Sequence, residues 1–286
     1  MTKKSQPVAP TAPFTQSPDG TVTFDLTIPA AVVTREYTHV VDEYVKTAEI
    51  KGFRKGKAPR SLVESNLDQT KVINHVLDHA LPPVYSTFLT THKLSPLVDP
   101  RMAPKAMEMG SDWVFTVTTA CAPQVELGDY KSAVKKALVA HRKTHAKEAK
   151  TEEGKAKDPS HEEERETSAI FDALLKSATV ELSELLVDAE TKSALSRLVN
   201  QLASLKIKVE DYAKSIKKSV DELVKEYQET AKTNLKLEFV LQKLIEIEAP
   251  EVTDDEISEL KPGKGQEAYA KYVLQKRKVL DLLKKL

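Results

Sequence analysis

TVTFDLTIPAAVVTREYTHVVDEYVKTAEIKGFRKGKAPR, residues 21–60, changes its period once and then breaks off in a basic turn. Up to Ile28 the apolar side chains alternate: Val22, Phe24, Leu26 and Ile28 on one side, threonines and Asp25 on the other. A period of two is that of a half-buried strand. After Pro29 the apolar positions become Val33, Tyr37, Val40, Val41, Tyr44, Val45 and Ala48, which share one face of a helix. Pro29 suits the first turn of that helix, where a missing N–H costs nothing. The helix is predicted to end before Gly52. Strand, helix and loop in forty residues set the expectation of an α+β domain.

Upstream, residues 1–13 are polar and proline-rich, and read as a disordered lead. APFTQ follows, and Asp19-Gly20 marks a hairpin turn into the strand. Downstream, Pro59 starts a short helix from Arg60 to about Asn66. A longer helix, Gln69 to Thr91, turns Val72, Val76, Leu77, Ala80, Val84 and Phe88 inward, with a bend expected at Pro82-Pro83. Two strands close the domain, one near Leu94 to Pro104 and one from Asp112 to Ala120 with Trp113, Phe115 and Val117 alternating. The first domain is thus residues 14–130.

Residues 131–166 have another texture. They are crowded with Lys, Glu and Ala, carry no aromatic residue, and are interrupted by GKAKDPS. This reads as a charged linker, or as an exposed helical arm broken near Asp158-Pro159. Residues 167–286 read as an all-α domain. Ile170, Leu174, Leu175 and Ala178 mark one helix, and Ser183 caps the next, with Leu186, Leu195, Leu198, Val199, Leu202 and Leu205 on its apolar side. SVDE at Ser219 and TDDE at Thr253 are capping boxes, in which Ser or Thr and Glu satisfy each other's free N–H groups. The first opens a long helix with a stripe of Val220, Leu223, Val224, Tyr227, Ala231, Leu235, Leu241 and Leu244. A last helix is expected to use Tyr269, Val273, Leu280 and Leu283.

The bulk numbers agree with this plan. The 286 residues allow about two domains. Eight glycines, 6% aromatics and 30% charged residues suit a mainly helical chain. With 43 basic and 43 acidic residues the net charge is zero, so an anionic partner has to be met by a local patch. The single cysteine excludes an internal disulfide framework and fits a reducing cytoplasm. No apolar run reaches the ~20 residues of a membrane span, and the N-terminus has no apolar core of a secretion signal.

Enzyme and metal signatures are missing. His75 and His79 stand four apart, as do His141 and His145, a spacing that suits two ligands on one helix face. Neither pair has HExxH context or a nearby cysteine, so both read as exposed or core-edge histidines and no metal is assigned. GFRKGKAP lacks the GKS/T ending of a phosphate loop and follows no strand. There is no GxSxG elbow, and Cys121 reads as a buried structural thiol. No catalytic residue and no cofactor are assigned.

The segment from Lys51 to Arg60 stands apart. It holds Lys51, Arg54, Lys55, Lys57 and Arg60, and no acid occurs up to Ser61. Gly52 and Gly56 let the backbone turn tightly. Phe53 sits among these charges. One reading is a solvated basic turn with Phe53 tucked back. The other is a docking tip: Arg54 offers a bidentate donor to carboxylate or phosphate, the lysines offer charge, and Phe53 an apolar anchor.

GFRKGKAP at residues 52–59 resembles the GFRxGKxP ribosome-binding signature of the trigger factor family. TIP before the first helix, APRSLVE after the loop and PQVELGDYKS after the last strand also resemble that family, as do VEDYAKS and EAPEVTDDEI further on. The resemblance covers most of the chain and is strongest at the loop. It implies an ATP-independent chaperone that docks beside the nascent-chain exit of the large ribosomal subunit, on a ribosomal protein or rRNA, and cradles unfolded nascent polypeptides. It implies that Phe53, Arg54 and Lys55 dock, framed by Gly52, Gly56 and Lys57. Client-binding residues stay unassigned, and pairing of two copies off the ribosome stays open.

The family usually inserts a prolyl isomerase domain of FKBP type between its two other parts. Here that gap is only residues 131–166, and it lacks the aromatic residues such a pocket needs. Isomerase activity is therefore expected to be absent. The alternatives are a prolyl isomerase with a degenerate or relocated site, and a holdase that works free of ribosomes.

Overall fold

A computed structural model describes residues 13–148, 159–263 and 265–286. Residues 1–12 of the expected lead, and Asp158 at the expected break, lie outside them. The described chain divides into two compact units, residues 13–17 with 21–121, and 18–20 with 122–286.

In the first unit the strands are β1 (Phe14–Gln16), β2 (Thr21–Ile28), β3 (Arg101–Ala106) and β4 (Trp113–Ala120). Among the described residues they form one antiparallel sheet of order β1-β2-β4-β3. The alternation read from sequence becomes a cross-strand ladder: Phe24 opposes Val117, Leu26 opposes Phe115 and Ile28 opposes Trp113, all buried. The opposite face is polar, and there Asp25 accepts hydrogen bonds from Lys105 at 2.7 Å and Thr116 at 2.9 Å. Those two donors hold the Asp25 carboxyl below its ordinary range. β3 begins at Arg101 rather than near Leu94, because Leu94 still closes the preceding helix through its N–H to the Leu89 carbonyl.

The helices of this unit are α1 (Ala30–Thr47), α2 (Arg60–Asn66) and α3 (Gln69–His92). Asp68 caps α3 by accepting the Thr70 N–H at 3.0 Å. α3 runs through Pro82 and Pro83 to His92, as the expected span required. Phe88 of α3 stacks on Phe24 with ring centroids 3.9 Å apart. A buried aromatic of this kind resists truncation to alanine by about 3–5 kcal/mol. Val33, Val40 and Val41 of α1 and Val72, Val76 and Ala80 of α3 join the same core. α1 stops at Thr47, five residues earlier than the glycine expected to end it, because Ala48 is already extended.

The second unit contains a small sheet that periodicity missed: β5 (Val125–Glu126) pairs with β6 (Thr179–Val180). Its helices are α4 (Tyr130–Glu148), α5 (Pro159–Ser177), α6 (Glu184–Ser204), α7 (Val209–Ser215), α8 (Val220–Glu248), α9 (Asp254–Glu259) and α10 (Glu267–Lys284). Both capping boxes form, at Ser219 and Thr253. The segment expected to be a linker or exposed arm is different. Val134 and Leu138 of α4 are fully buried with Ile170 and Leu174 of α5 and Leu244 of α8. Spaced four apart, they form a narrow apolar seam that the surrounding lysines hide from a composition reading. The apolar side of α10 is also shifted. Ala270, Val279 and Leu283 are buried while Tyr269 and Val273 are exposed. Tyr272, half-buried, donates to Glu238 Oε1.

Candidate functional site

Residues 48–59 connect α1 to α2, and backbone hydrogen bonds fold them into two tight turns. The Phe53 N–H meets the Ile50 carbonyl at 3.0 Å, and the Lys57 N–H meets the Arg54 carbonyl at 2.9 Å. The Gly56 N–H returns to the Ala48 carbonyl at 3.0 Å, tying the far side of the loop to the stem of α1. Both glycines have positive φ, 93° at Gly52 and 70° at Gly56. Their surroundings differ. A Cβ on Gly52 would meet open space, whereas one on Gly56 would lie 2.5 Å from the Lys46 carbonyl oxygen. Ala58 is buried and anchors the return of the chain.

The tip is exposed. Phe53 is 44% accessible, and Lys51, Arg54, Lys55 and Lys57 all face solvent. Two of the basic residues are already engaged: Lys55 pairs with Glu49 at 2.9 Å and Arg60 with Asp42. Sequence reading missed these two acids because they lie before the acid-free window. Charge alternation along the end of α1 was the available signal. Among the described residues Lys51, Arg54 and Lys57 have no ion-pair partner. The connection thus exposes Phe53, Arg54 and two unpaired lysines together, and the six residues from Gly52 to Lys57 lie in its two turns. Surface pairs such as Lys55–Glu49 contribute about 0–1 kcal/mol, so Lys55 exchanges partners at little cost.

Cys121 is buried, and burial pushes its thiol above the ordinary range, away from nucleophilic use. His75 and His79 are partly exposed at the edge of the first unit's core. The side chain of His145 lies outside the described residues.

The second unit presents an open groove of about 470 Å³ between α6 and α8. Leu195, Val199 and Val224 line it beside Asp188, Lys192 and Gln228. Further exposed apolar groups, Leu205, Ile207, Ile216 and Val220, lie on the adjoining ends of α6, α7 and α8 and the turns between them. Half of the stripe expected on α6 is therefore core, namely Leu186, Leu198 and Leu202, while Val199 and Leu205 are open to solvent. Among the described residues no helix is long and apolar enough to cross a membrane.

Comparison with known proteins accounts for nearly the whole chain. The family model for "Bacterial trigger factor protein (TF)" matches residues 14–154, and that for its C-terminus matches residues 146–285. A trigger factor of Limosilactobacillus fermentum is 31% identical over 115 residues, 40% of this chain and 26% of that protein. One from Staphylococcus aureus strain JH9 is 31% identical over 106 residues, 37% of this chain and 24% of that protein. The chain spans about a quarter of the length of the curated relatives it matches. A solved chain from "Promiscuous Substrate Recognition in Folding and Assembly Activities of the Trigger Factor Chaperone" superposes with a TM-score of 0.60 at 13% identity. That superposition covers 96% of this chain and 99% of the other, and at such identity it speaks for the fold alone. An N-terminal α+β unit, a helical C-terminal unit and two family models that together run from residue 14 to 285 give one answer: the chain belongs to the trigger factor family.

Proposed function

We propose that this protein is an ATP-independent chaperone of the cytoplasm that docks on the large ribosomal subunit through Gly52–Lys57 and receives nascent polypeptides on its helical unit. The observation that carries this reading is the exposed Phe53 beside the unpaired Arg54 on a turn whose stem is fixed by Gly56. A chain of zero net charge is oriented on an anionic surface only by such a local concentration of charge. The apolar groups exposed together around the α6–α8 groove support a client surface there, since clustered exposed apolar area marks interaction sites.

The test is co-sedimentation with ribosomes of the whole chain beside a variant carrying Phe53→Ala, Arg54→Ala and Lys55→Ala. The variant should remain in the supernatant at moderate salt while keeping its circular dichroism spectrum and melting temperature. Equal pelleting of the two proteins would leave the loop as a solvated turn.

Isomerase activity forms no part of this function. Residues 131–148 and 159–166 belong to α4 and α5, which leaves 149–158 as the span for any inserted domain. Even small domains need roughly 50 residues. On a proline-containing test peptide the purified protein should give a rate equal to the uncatalysed background. A robust rate that disappears on mutating a defined pocket would refute this.

A further inference from the structure

Away from the loop, α1 and α3 bring three histidines and two glutamates to one face. His75 and His79 stand one turn apart on α3, with ring centroids 4.9 Å apart. His39 of α1 lies across from His79, with centroids at 5.7 Å. Glu43 sits between them: its two carboxylate oxygens lie 3.7 Å from His39 Nε2 and 3.8 Å from His75 Nε2. Glu36 Oε2 lies 3.9 Å from His79 Nδ1, while its other oxygen is taken by Arg35 at 2.9 Å. All three imidazole–carboxylate distances exceed hydrogen-bonding range. One donor atom each from Glu43, His75 and His79 lie within 4.8 Å of one another, and the same holds for Glu36, His39 and His79.

We propose that Glu43, His75 and His79, with His39 in reach of a fourth position, bind a divalent transition-metal ion of the zinc, cobalt or nickel class. Imidazole and carboxylate donors together suit these ions. Magnesium and calcium prefer all-oxygen sites, and copper(I) prefers sulfur, which this face lacks. Zinc ligands sit about 2.0–2.1 Å from the ion, hence roughly 3.3 Å from one another in a tetrahedron. The donors therefore have to close by about 1.5 Å at most, within the reach of rotamer changes in side chains that are only partly buried. Glu43 is preferred over Glu36 because Arg35 competes for the latter. The i, i+4 spacing alone is a weak signal, as the sequence reading held. What completes the set is supplied by a different helix.

An ion held there would cross-link α1 to α3 one turn before the docking loop begins at Ala48. Ligands from two helices make binding a stabilising event for the folded unit alone, by mass action.

Cobalt(II) titration of the full chain at neutral pH reads the site through its visible d–d bands. The expected result is one ion per chain, with half-saturation at about 10 μM or below, a free energy on the order of −7 kcal/mol. The bands should have the intensity of a four-coordinate ion, and zinc should displace cobalt and raise the melting temperature. His79→Asn and Glu43→Gln should each weaken binding at least tenfold with unchanged circular dichroism. His141→Asn paired with His145→Asn should leave binding unchanged. Unaltered titration of the His79 and Glu43 variants, loss of signal only in the His141/His145 variant, or no saturable binding would each overturn the assignment.

Discussion

Arg54→Glu is expected to abolish ribosome co-sedimentation, and Arg54→Ala to weaken it by more than tenfold. Arg54 is exposed and, among the described residues, unpaired, so its charge is spent on nothing inside the fold. Removing one member of a desolvated charge pair at an interface typically costs about 2–5 kcal/mol, much of it from the partner left buried alone. About 1.4 kcal/mol corresponds to tenfold, so the lower end of that range already exceeds the stated loss. Reversal to glutamate adds repulsion to the loss. Lys55→Ala should do less, because docking has to take Lys55 away from Glu49. Binding by the unaltered protein should weaken as salt rises, and by Arg54→Ala less steeply, since one screened contact is gone. Urea unfolding should be the same for all three. Variants that pellet with ribosomes like the unaltered protein at moderate salt would sink the docking assignment.

Gly56→Ala should damage the loop while touching none of its charges. A side chain at φ of 70° costs about 1 kcal/mol by itself, and the new Cβ would press to 2.5 Å on the Lys46 carbonyl oxygen. That oxygen belongs to the last turn of α1 and does not rotate away as a flexible side chain would. The loop has to shift, and with it goes the Gly56 N–H bond to Ala48. A loss of roughly 2–3 kcal/mol in urea unfolding is expected, with weakened ribosome binding. Gly52→Ala isolates the conformational part, because φ is 93° but nothing lies within 4 Å. It should cost about 1 kcal/mol and largely spare docking. Equal effects of the two substitutions, in stability and in co-sedimentation, would contradict the idea that the stem contact orients the tip.

Elements whose pattern is both local and redundant could be read from the chain directly. Four alternating residues in β2, three in β4 and two complete capping boxes each restate the same local geometry several times over. β5 and β6 could not be read, because two residues carry no period and exist as strands only by pairing with each other across α4 and α5. α4 was obscured for the opposite reason. Its charges dominate any composition window, while Val134 and Leu138 suffice to seat it in the core. On α10 two faces carry apolar residues, and tertiary packing, not periodicity, selects the one with Val279 over the one with Tyr269. At the loop, the basic run and its two glycines were plain, but the acids that engage Lys55 and Arg60 come from α1 and the residues just after it. The histidine face was invisible for a related reason: its donors are split between two helices, Glu36, His39 and Glu43 on α1 and His75 and His79 on α3, and one-helix spacing cannot report a two-helix set.

The β5–β6 pairing has a topological consequence. Glu126 and Thr179 are direct partners, so within the C-terminal unit the chain departs from this small sheet and returns to it at one place. Everything between, α4 out and α5 back, is a detour whose two ends are already stapled together. Lengthening such a detour costs only about 0.6 kcal/mol for each doubling of its open span. The α4–α5 hairpin is thus a socket: a whole foreign module could be spliced between Glu148 and Pro159, or deleted again, without the remaining frame registering more than a longer excursion.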